Sequence, residues 1–257
     1  MSSDRDSLFA APLGDIKEFR FDQSVVDVFP DMLQRSVPGY EAIIAQSALL
    51  AARYVQPGTH LYDLGSSLGA TSIALRDALA ACEPQKRQGC EIHAIDNAPA
   101  MIKASRDLIT LSAKQAPTNP VPILVHEANL EDHPMHNASV VAMNFTLQFV
   151  APEVRTALMR KIAQALKPGG VLILSEKVCF ADPIVNELHI DMYHAYKRRN
   201  GYSELEISQK RTALENVMIP DTLETHRERL LGSGFDYCSV WFQCFNFASL
   251  IAIKQAA

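Results

Sequence analysis

Apolar residues recur along the chain in short runs separated by amphipathic stretches. Five runs of four or five mostly apolar residues have the length and composition of buried strands: 60–64, 91–95, 123–126, 139–143 and 171–175. Helical spacing of apolar residues lies between them, near 69–80, 99–111 and 152–166. This alternation predicts an α/β fold with a mainly parallel, doubly wound sheet.

The first forty residues do not share this alternation. Residues 1–40 are predicted as an N-terminal arm, irregular or short-helical because Pro12, Pro30 and Pro38 interrupt it. An amphipathic helix follows from Tyr40 and ends before a Pro-Gly pair.

The C-terminal half contains an insertion and a different strand arrangement. Segment 181–220 is helical in pattern, with a capping box between Ser203 and Glu206, and follows the fifth strand on the side where substrates of such sheets bind. Segment 235–254 predicts two strands that complete the sheet as an antiparallel pair. We expect a single domain over 1–257 in which the insertion covers the active site.

Composition excludes several classes of protein. The chain has 257 residues, is 48% hydrophobic and carries a formal charge of −5, which argues against disorder, collagen, coiled coil and a broad nucleic-acid-binding surface. The longest uncharged run, 237–253, reads as two buried strands rather than a membrane helix. Five cysteines without a C-x-x-C pair, and no pattern of a signal peptide, predict a reduced, cytoplasmic protein that does not bind membranes.

The first strand ends in a glycine-containing turn. Asp63 precedes the turn 65–69, where glycines would let a ligand approach the backbone and the acid could anchor an ammonium group. The alternative is a tight turn with a capping carboxylate. The spacing is not that of the G-x-G-x-x-G fingerprint, which argues against a nicotinamide cofactor.

Polar residues also end the next three strands. Asp96, followed by Asn97, could accept hydrogen bonds from both ribose hydroxyls, could cap the helix that starts near Pro99, or both. Asn129, beside Leu130, could accept a hydrogen bond from an adenine amino group, or could be an ordinary loop residue. Asn144 is either a ligand contact or a hydrogen-bonded core amide.

Together with a Lys-Pro-Gly-Gly segment at 167–170, these motifs resemble the Rossmann-like fold of class I S-adenosylmethionine-dependent methyltransferases. Longer stretches resemble one family within it, carboxy-S-adenosyl-L-methionine synthase. They are FPDM at 29–32, QRSVPGY at 34–40, NFTLQF at 144–149, GYSELEISQKR at 201–211 and WFQCFNF at 241–247.

The resemblance implies an unusual transferase reaction. Prephenate would donate a carboxyl group to the activated methyl of S-adenosyl-L-methionine, which gives carboxy-S-adenosyl-L-methionine, phenylpyruvate and water. The product would serve a separate enzyme of transfer RNA processing that modifies wobble uridines. The family is a homodimer, and its reaction uses no metal and no protein base.

The resemblance also implies site residues. Arg211 would hold the added carboxylate, which a planar guanidinium can grip at two points. Contacts to the adenosylmethionine part would come from Tyr40, Gly65, Ser66, Ser67, Asp96, Asn97, Asn129, Leu130 and Asn144. Ser66 stands where the family often has Cys and Asn129 where it often has Asp, and the loops 82–90 and 112–120 look longer than usual.

Alternatives remain at this point. The chain could be a conventional S-adenosylmethionine-dependent methyltransferase acting on a small molecule or RNA, or a non-catalytic sensor of an adenosyl ligand. Without the resemblance, the pair Lys210-Arg211 would be a solvated helix face. His133 and His136 have no third ligand at a usable spacing, so no metal site is expected.

Charge is unevenly distributed. Segment 196–212 has five cationic residues against two carboxylates, a local +3 that leaves −8 for the rest of the chain. The insertion therefore concentrates positive charge where a small dianion would have to be captured.

Overall fold

The computed structural model describes residues 5–116 and 120–256. Its helices are α1 Gln23–Ser36, α2 Tyr40–Tyr54, α3 Ala70–Ala80, α4 Pro84–Arg87, α5 Pro99–Ala113, α6 Pro152–Ala165, α7 Pro183–Arg199, α8 Glu204–Leu214 and α9 Leu223–Leu231. Its strands are β1 His60–Leu64, β2 Glu91–Asp96, β3 Ile123–Glu127, β4 Ala138–Asn144, β5 Leu166–Cys179, β6 Asp221–Thr222, β7 Tyr237–Cys244 and β8 Phe247–Ile253.

The strands form a mixed sheet of order β3-β2-β1-β4-β5-β8-β7, with the short β6 beside β5. Strands β1 to β5 are parallel, whereas β8 runs antiparallel to both β5 and β7. The predicted α/β fold is confirmed, including its antiparallel C-terminal pair. Because the chain moves outward from β1 to β3 and then returns to β4, the strand order reverses between β1 and β4. Ligands of open α/β sheets bind beyond the carboxyl ends of strands at such a reversal.

Apolar layers cover both faces of the sheet, which explains why its strands read as nearly continuous apolar runs. On one face, Leu61 and Ile92 pack in the same core cluster as Leu75 of α3. On the other, Val141 packs with Ile162 of α6. Each of these side chains is fully buried, and such burial contributes about 1.5–3 kcal/mol per side chain. Because both faces are packed in this way, the sheet holds the residues at its carboxyl edge in fixed positions.

The expectation of an irregular or short-helical arm was wrong for 23–36, which form a helix of 14 residues. Asp22 caps it by accepting hydrogen bonds from the backbone N–H groups of Ser24 and Val25. Pro30 lies inside this helix and costs about 3 kcal/mol there. Three buried apolar side chains that pack with Met101 of α5 offset that cost: Val25, Val28 and Met32.

The helical insertion is present as α7 and α8. The predicted capping box is confirmed: Ser203 Oγ accepts from Glu206 N–H at 3.2 Å, and Glu206 Oε2 accepts from Ser203 N–H at 2.7 Å. Helix α9 was not anticipated. Within the described ranges, no helix is long and apolar enough to cross a membrane.

Three segments about which the sequence analysis made predictions are 167–170 and the loops 82–90 and 112–120. Helix α6 ends just before 167–170, as predicted, yet these residues already belong to β5. The loop 82–90 contains the short helix α4. The expectation for 112–120 falls partly on 117–119, outside the described residues.

Candidate active site

A cavity of about 800 Å³ lies at the carboxyl edge of the sheet, where the strand order reverses. Residues of α1 and α2 line one side, and residues of α7 and α8 line another. Nine of the ten predicted site residues line it: Tyr40, Gly65, Ser66, Ser67, Asp96, Asn97, Leu130, Asn144 and Arg211. The tenth, Asn129, is exposed beside them, and its Oδ1 accepts a hydrogen bond from Asn97 Nδ2 at 3.1 Å.

The turn after β1 presents its backbone to the cavity. The N–H groups of Gly65 and Ser66 both donate to the carbonyl oxygen of Ile95, at 2.8 and 2.9 Å, which ties the turn to β2. Gly65 has a φ of +75°, and a Cβ there would collide with the Thr146 side chain. Only glycine fits this position, because Thr146 fills the space that a side chain would need. Gly65 also lines the cavity, so its backbone can be approached by a ligand, as expected from the sequence.

Asp96 serves the turn and the cavity together. Its Oδ2 accepts from Ser67 N–H at 2.9 Å, and its Oδ1 accepts from Ala98 N–H at 2.9 Å, just before α5 begins at Pro99. Burial raises the pKa of Asp96 above its ordinary value, against the effect of these hydrogen bonds. Each carboxylate oxygen can accept more than one hydrogen bond, so both retain capacity for ribose hydroxyls.

Asn144 has its amide satisfied within the protein. Its Oδ1 accepts from Ser175 Oγ at 2.7 Å, and its Nδ2 donates to Thr71 Oγ1 at 3.2 Å. The sequence analysis left open whether Asn144 is a ligand contact or a hydrogen-bonded core amide. Its side chain is hydrogen-bonded within the protein, and the residue also lines the cavity.

Asp63 is not among the residues that line the cavity. The residue is 1% exposed, and its Oδ2 accepts a hydrogen bond from Ser72 Oγ of α3 at 2.6 Å. Burial raises its pKa to about 7, so the carboxylate is poorly suited to act as a fixed anion for an ammonium group. The alternative from the sequence, a carboxylate that stabilises the tight turn and the helix after it, is the one observed.

The buried Glu176 holds the segment that follows Asn144. Its carboxylate accepts hydrogen bonds from the backbone N–H groups of Thr146, Leu147 and Gln148, at 2.8–3.2 Å. Burial nevertheless raises its pKa to about 8. Sequence reasoning missed Glu176, because one acid inside an apolar strand gives no indication of which backbone groups it meets.

Four cationic side chains converge on the same cavity: Lys177, Lys197, Lys210 and Arg211. Lys210 is paired with Asp6 at 3.6 Å. In the part of the chain that is described, the other three form no ion pair with a carboxylate. Burial lowers the pKa of Lys177 to about 8, with Arg211 contributing, and that of Lys197 to about 7, with Lys210 and Lys177 contributing. The cavity is also lined by carboxylates, Glu41, Asp96, Glu131 and Glu215, but within the described residues none of them forms an ion pair with these three cations.

Tyrosine rings surround these cations. Lys197 Nζ is 5.4 Å from the ring centroids of Tyr193 and Tyr202, and Lys177 Nζ is 5.0 Å from that of Tyr193. Ring faces stabilise a nearby cation only modestly, by about 0.5–2 kcal/mol, and leave its charge available to an anion. Sequence analysis singled out positive charge in the insertion but missed Lys177, which reaches the cavity from β5.

The sequence analysis expected no third metal ligand near His133, and the structure contradicts this. The fold brings His126 and His93 to His133, although 33 residues separate the first two in the chain. Spacing within one loop could not reveal ligands that come from neighbouring strands.

Comparison with known proteins places the chain in a family. A family model described as a methyltransferase domain matches residues 62–172. The carboxy-S-adenosyl-L-methionine synthase of Trichlorobacter lovleyi is 53% identical over 99% of this chain and 100% of its own length. That of Yersinia pestis is 51% identical over 97% of this chain and 90% of its own.

The chain belongs to the carboxy-S-adenosyl-L-methionine synthase family. The family and the transferase activity expected from the sequence are thereby confirmed, with carboxy-S-adenosyl-L-methionine synthesis as the family's function.

Solved structures agree on the fold of this synthase family member. An O-methyltransferase family protein from Burkholderia thailandensis has a TM-score of 0.63 at 17% identity, over 100% of this chain and 64% of that chain. Human N-acetylserotonin methyltransferase, solved in complex with S-adenosylmethionine, has a TM-score of 0.53 at 17% identity, over 99% of this chain and 64% of that one. At these identities the likeness concerns the fold alone, that of class I methyltransferases.

Proposed function

We propose that this synthase transfers the carboxyl group of prephenate to the methyl carbon of S-adenosyl-L-methionine. The observation that carries the proposal is a group of cations, Lys177, Lys197 and Arg211, which form no ion pair within the described residues and line the same cavity as the Gly65 turn and Asp96. A conventional methyl transfer needs no such cluster, whereas a dianionic donor and a carboxylated product both do.

The turn and the strand ends form the adenosyl half of the site. Asp96 accepts the ribose hydroxyls, and the Gly65 turn lets the amino acid part of the substrate lie against the backbone. Asn129 and Leu130 border the adenine, with Asn97 holding the Asn129 amide in place.

The cations form the donor half. Prephenate carries two carboxylates, and Lys177 and Lys197 are the buried cations available to them. Arg211 lies on α8 and receives the carboxylate of the product, because its planar guanidinium makes two parallel hydrogen bonds to a carboxylate.

The chemistry balances without a protein base. Prephenate breaks its carbon–carbon bond to release carbon dioxide and expels hydroxide as its ring becomes aromatic, which leaves phenylpyruvate. The hydroxide removes a proton from the sulfonium methyl and becomes water. The resulting ylide attacks carbon dioxide, which forms the carboxymethyl group. The protein holds the anions and excludes bulk water.

The wider role follows from the same proposal. The product is used by a separate enzyme that modifies wobble uridines of transfer RNA, while this chain, at a net charge of −5, does not itself bind nucleic acid. We further propose a cytoplasmic homodimer, with the apolar side of α7 as its contact surface.

Mass spectrometry of a reaction containing the protein, S-adenosyl-L-methionine and prephenate tests the proposal. We expect an adenosyl product in which a carboxyl group replaces one hydrogen, together with an equal amount of phenylpyruvate. Lys177→Gln should raise the KM for prephenate by about tenfold or more, since removal of a buried charge partner costs at least about 1.4 kcal/mol. The exposed Lys103→Gln on α5 is the matched control.

Two results would contradict this function. Unchanged S-adenosyl-L-methionine in the presence of folded protein and prephenate would favour a sensor. Release of S-adenosylhomocysteine with a methylated acceptor would favour a conventional methyltransferase.

A further inference from the structure

Five histidines gather on one face of the sheet, away from the cavity. They are His60 on β1, His93 on β2, His126 on β3, and His133 and His136 in the segment that leads to β4. The ring centroids of His60 and His93 are 4.8 Å apart, as are those of His126 and His133. None of the five lines the cavity of the proposed reaction.

Parallel pairing of β2 with β3 creates the centre of this cluster. His126 pairs with Ile95, and side chains two positions apart in a strand share a face, so His93 and His126 project from the same face. The two rings are nearly parallel, 11° apart. His93 Nδ1 lies 3.1 Å from His126 Nε2, so two potential ligand atoms are already close together.

His133 adds a third nitrogen. One ring nitrogen from each of His93, His126 and His133 lies within 4.8 Å of the others. Zinc–nitrogen bonds of about 2.0–2.1 Å place the ligands of a tetrahedral ion about 3.3 Å apart. The His93–His126 pair already has that spacing, and His133, in a loop, needs to move by no more than about 1–2 Å to reach it.

The neighbourhood supplies what metal-binding histidines ordinarily have. Glu91 Oε2 is 3.6 Å from His93 Nε2, on the other side of the ring from His126. A carboxylate at the outer nitrogen of a metal-bound imidazole fixes its orientation and raises its basicity. Among the residues that the structure describes, the buried His93 Nε2 has no hydrogen-bond partner, and a small shift of Glu91 toward the ring would supply one.

Burial favours the uncharged imidazole that metal binding requires. It lowers the pKa of His93 to about 4, with His60 and His126 contributing, and lowers those of His126 and His133 below the ordinary value. A neutral imidazole keeps a lone pair on one of its two nitrogens.

A simple aromatic cluster explains less. A hydrogen bond between two neutral imidazoles accounts for the His93–His126 contact, and ring packing accounts for His133 beside His126, but neither explains why three ring nitrogens converge within 4.8 Å. We propose that His93, His126 and His133 bind one divalent transition-metal ion of the zinc type. Neutral imidazole ligands favour zinc, copper and nickel over magnesium or calcium.

The ion would connect the outer strands to a segment of the active site. His133 N–H donates to the carbonyl oxygen of Asn129 at 3.1 Å, and Asn129 and Leu130 belong to the same loop. A metal held by His133 would thus pin this loop to β2 and β3. Its role is structural, since the cluster lies outside the cavity.

Equilibrium dialysis of the untagged protein against zinc chloride, after treatment with a chelator, tests the site, with the bound metal measured by mass spectrometry. We expect one zinc ion per chain and a rise in melting temperature on its addition. His126→Ala and His133→Gln should each weaken binding by at least about tenfold. His189→Gln, in α7 and stacked on Phe180 instead, is the matched control and should bind like the wild type.

Cobalt(II) provides a second readout that does not depend on stability. Cobalt(II) bound to the wild-type protein should show the intense visible absorption of a tetrahedral ion. The variant His133→Gln, in which the change lies in a loop and leaves the strands undisturbed, should lose this absorption. Failure of the folded wild type to bind zinc stoichiometrically would overturn the proposal. Equal zinc binding by His126→Ala, His133→Gln and the wild type would overturn it as well.

Discussion

At the scale of single residues, the cavity collects positive charge from three different elements. Lys177 lies on β5, Lys197 on α7 and Arg211 on α8. Burial, and then the neighbouring cations, lower the pKa of each of the two lysines. Protonation of these amines in the free site is therefore less favourable than in water. An anionic substrate counters this effect, and its binding is therefore linked to proton uptake.

This linkage can be measured. Because the pKa is lowered to about 7 for Lys197 and to about 8 for Lys177, at pH 8 Lys197 is largely deprotonated and Lys177 about half so. A bound dianion raises both pKa values, and prephenate should bind more weakly as the pH rises above about 7. Calorimetry at pH 8 in two buffers of different ionisation enthalpy, with S-adenosylhomocysteine present to prevent reaction, should record uptake of protons.

The control for proton uptake is a pair of variants. Lys197→Gln should reduce the number of protons taken up, whereas the exposed Lys103→Gln should not change it. Prephenate binding without proton uptake in the wild type would show that these lysines do not meet the donor.

Arg211 has a different expected signature. Arg211→Ala should retain binding of S-adenosyl-L-methionine but lose the preference for its carboxylated form. Both ligands share the methionine carboxylate, and only the product has the second carboxylate that Arg211 is proposed to hold. Titration calorimetry with both ligands gives the ratio of affinities, which should fall by about tenfold or more. Equal losses for the two ligands would mean that Arg211 does not contact the added carboxylate.

The sequence allowed us to predict the cavity residues that lie at strand ends. It did not allow us to predict those that other parts of the fold bring to the cavity. Asp96 and Asn144 end β2 and β4, the two parallel strands that flank β1, so topology alone places them at one edge. Lys177 and Glu176 are two adjacent residues of β5, yet one lines the cavity and the other binds the backbone of 146–148. That difference depends on the alternation of a strand's faces and on what packs against each, which a single sequence does not display.

At the scale of elements, α8 matters because it carries Lys210 and Arg211. Its start depends on the reciprocal hydrogen bonds of Ser203 and Glu206. Ser203→Ala removes the cap, and the free energy of unfolding should fall by about 1 kcal/mol in chemical denaturation. Ser208→Ala, an exposed position within the same helix, should leave it unchanged or raise it slightly, since alanine has the higher helix propensity. Equal effects of the two substitutions would mean that the cap contributes nothing.

Helices that begin with a capping motif or have a clear apolar spacing could be predicted from the sequence. A helix whose local sequence disfavours helix formation could not. The capping box identified α8. Pro30 argued against α1, which forms because its apolar face packs with α5, a contact between distant parts of the chain. Long-range packing of this kind overrides local propensity.

At the scale of the whole molecule, the two sides of α7 face different surroundings. One side contributes Tyr193, His194 and Lys197 to the cavity. The other exposes an apolar stripe at four-residue spacing: Ile184 at 78%, Leu188 at 58% and Met192 at 44%. The sequence analysis took this spacing only as evidence for a helix, and the three side chains belong to none of the core clusters. A contiguous apolar stripe on a helix that borders the active site is typical of a subunit interface.

The homodimer can therefore be tested on α7. Leu188→Asp places a charge in the centre of the stripe, and a buried unpaired carboxylate would cost the interface several kcal/mol. Sedimentation velocity at micromolar concentration should record a dimer for the wild type and a monomer for the variant. Leu49→Asp on α2 is the matched control, because Leu49 is equally exposed, at 59%, yet stands outside the stripe. A dimer in both variants would place the interface elsewhere, and a monomeric wild type would refute the dimer.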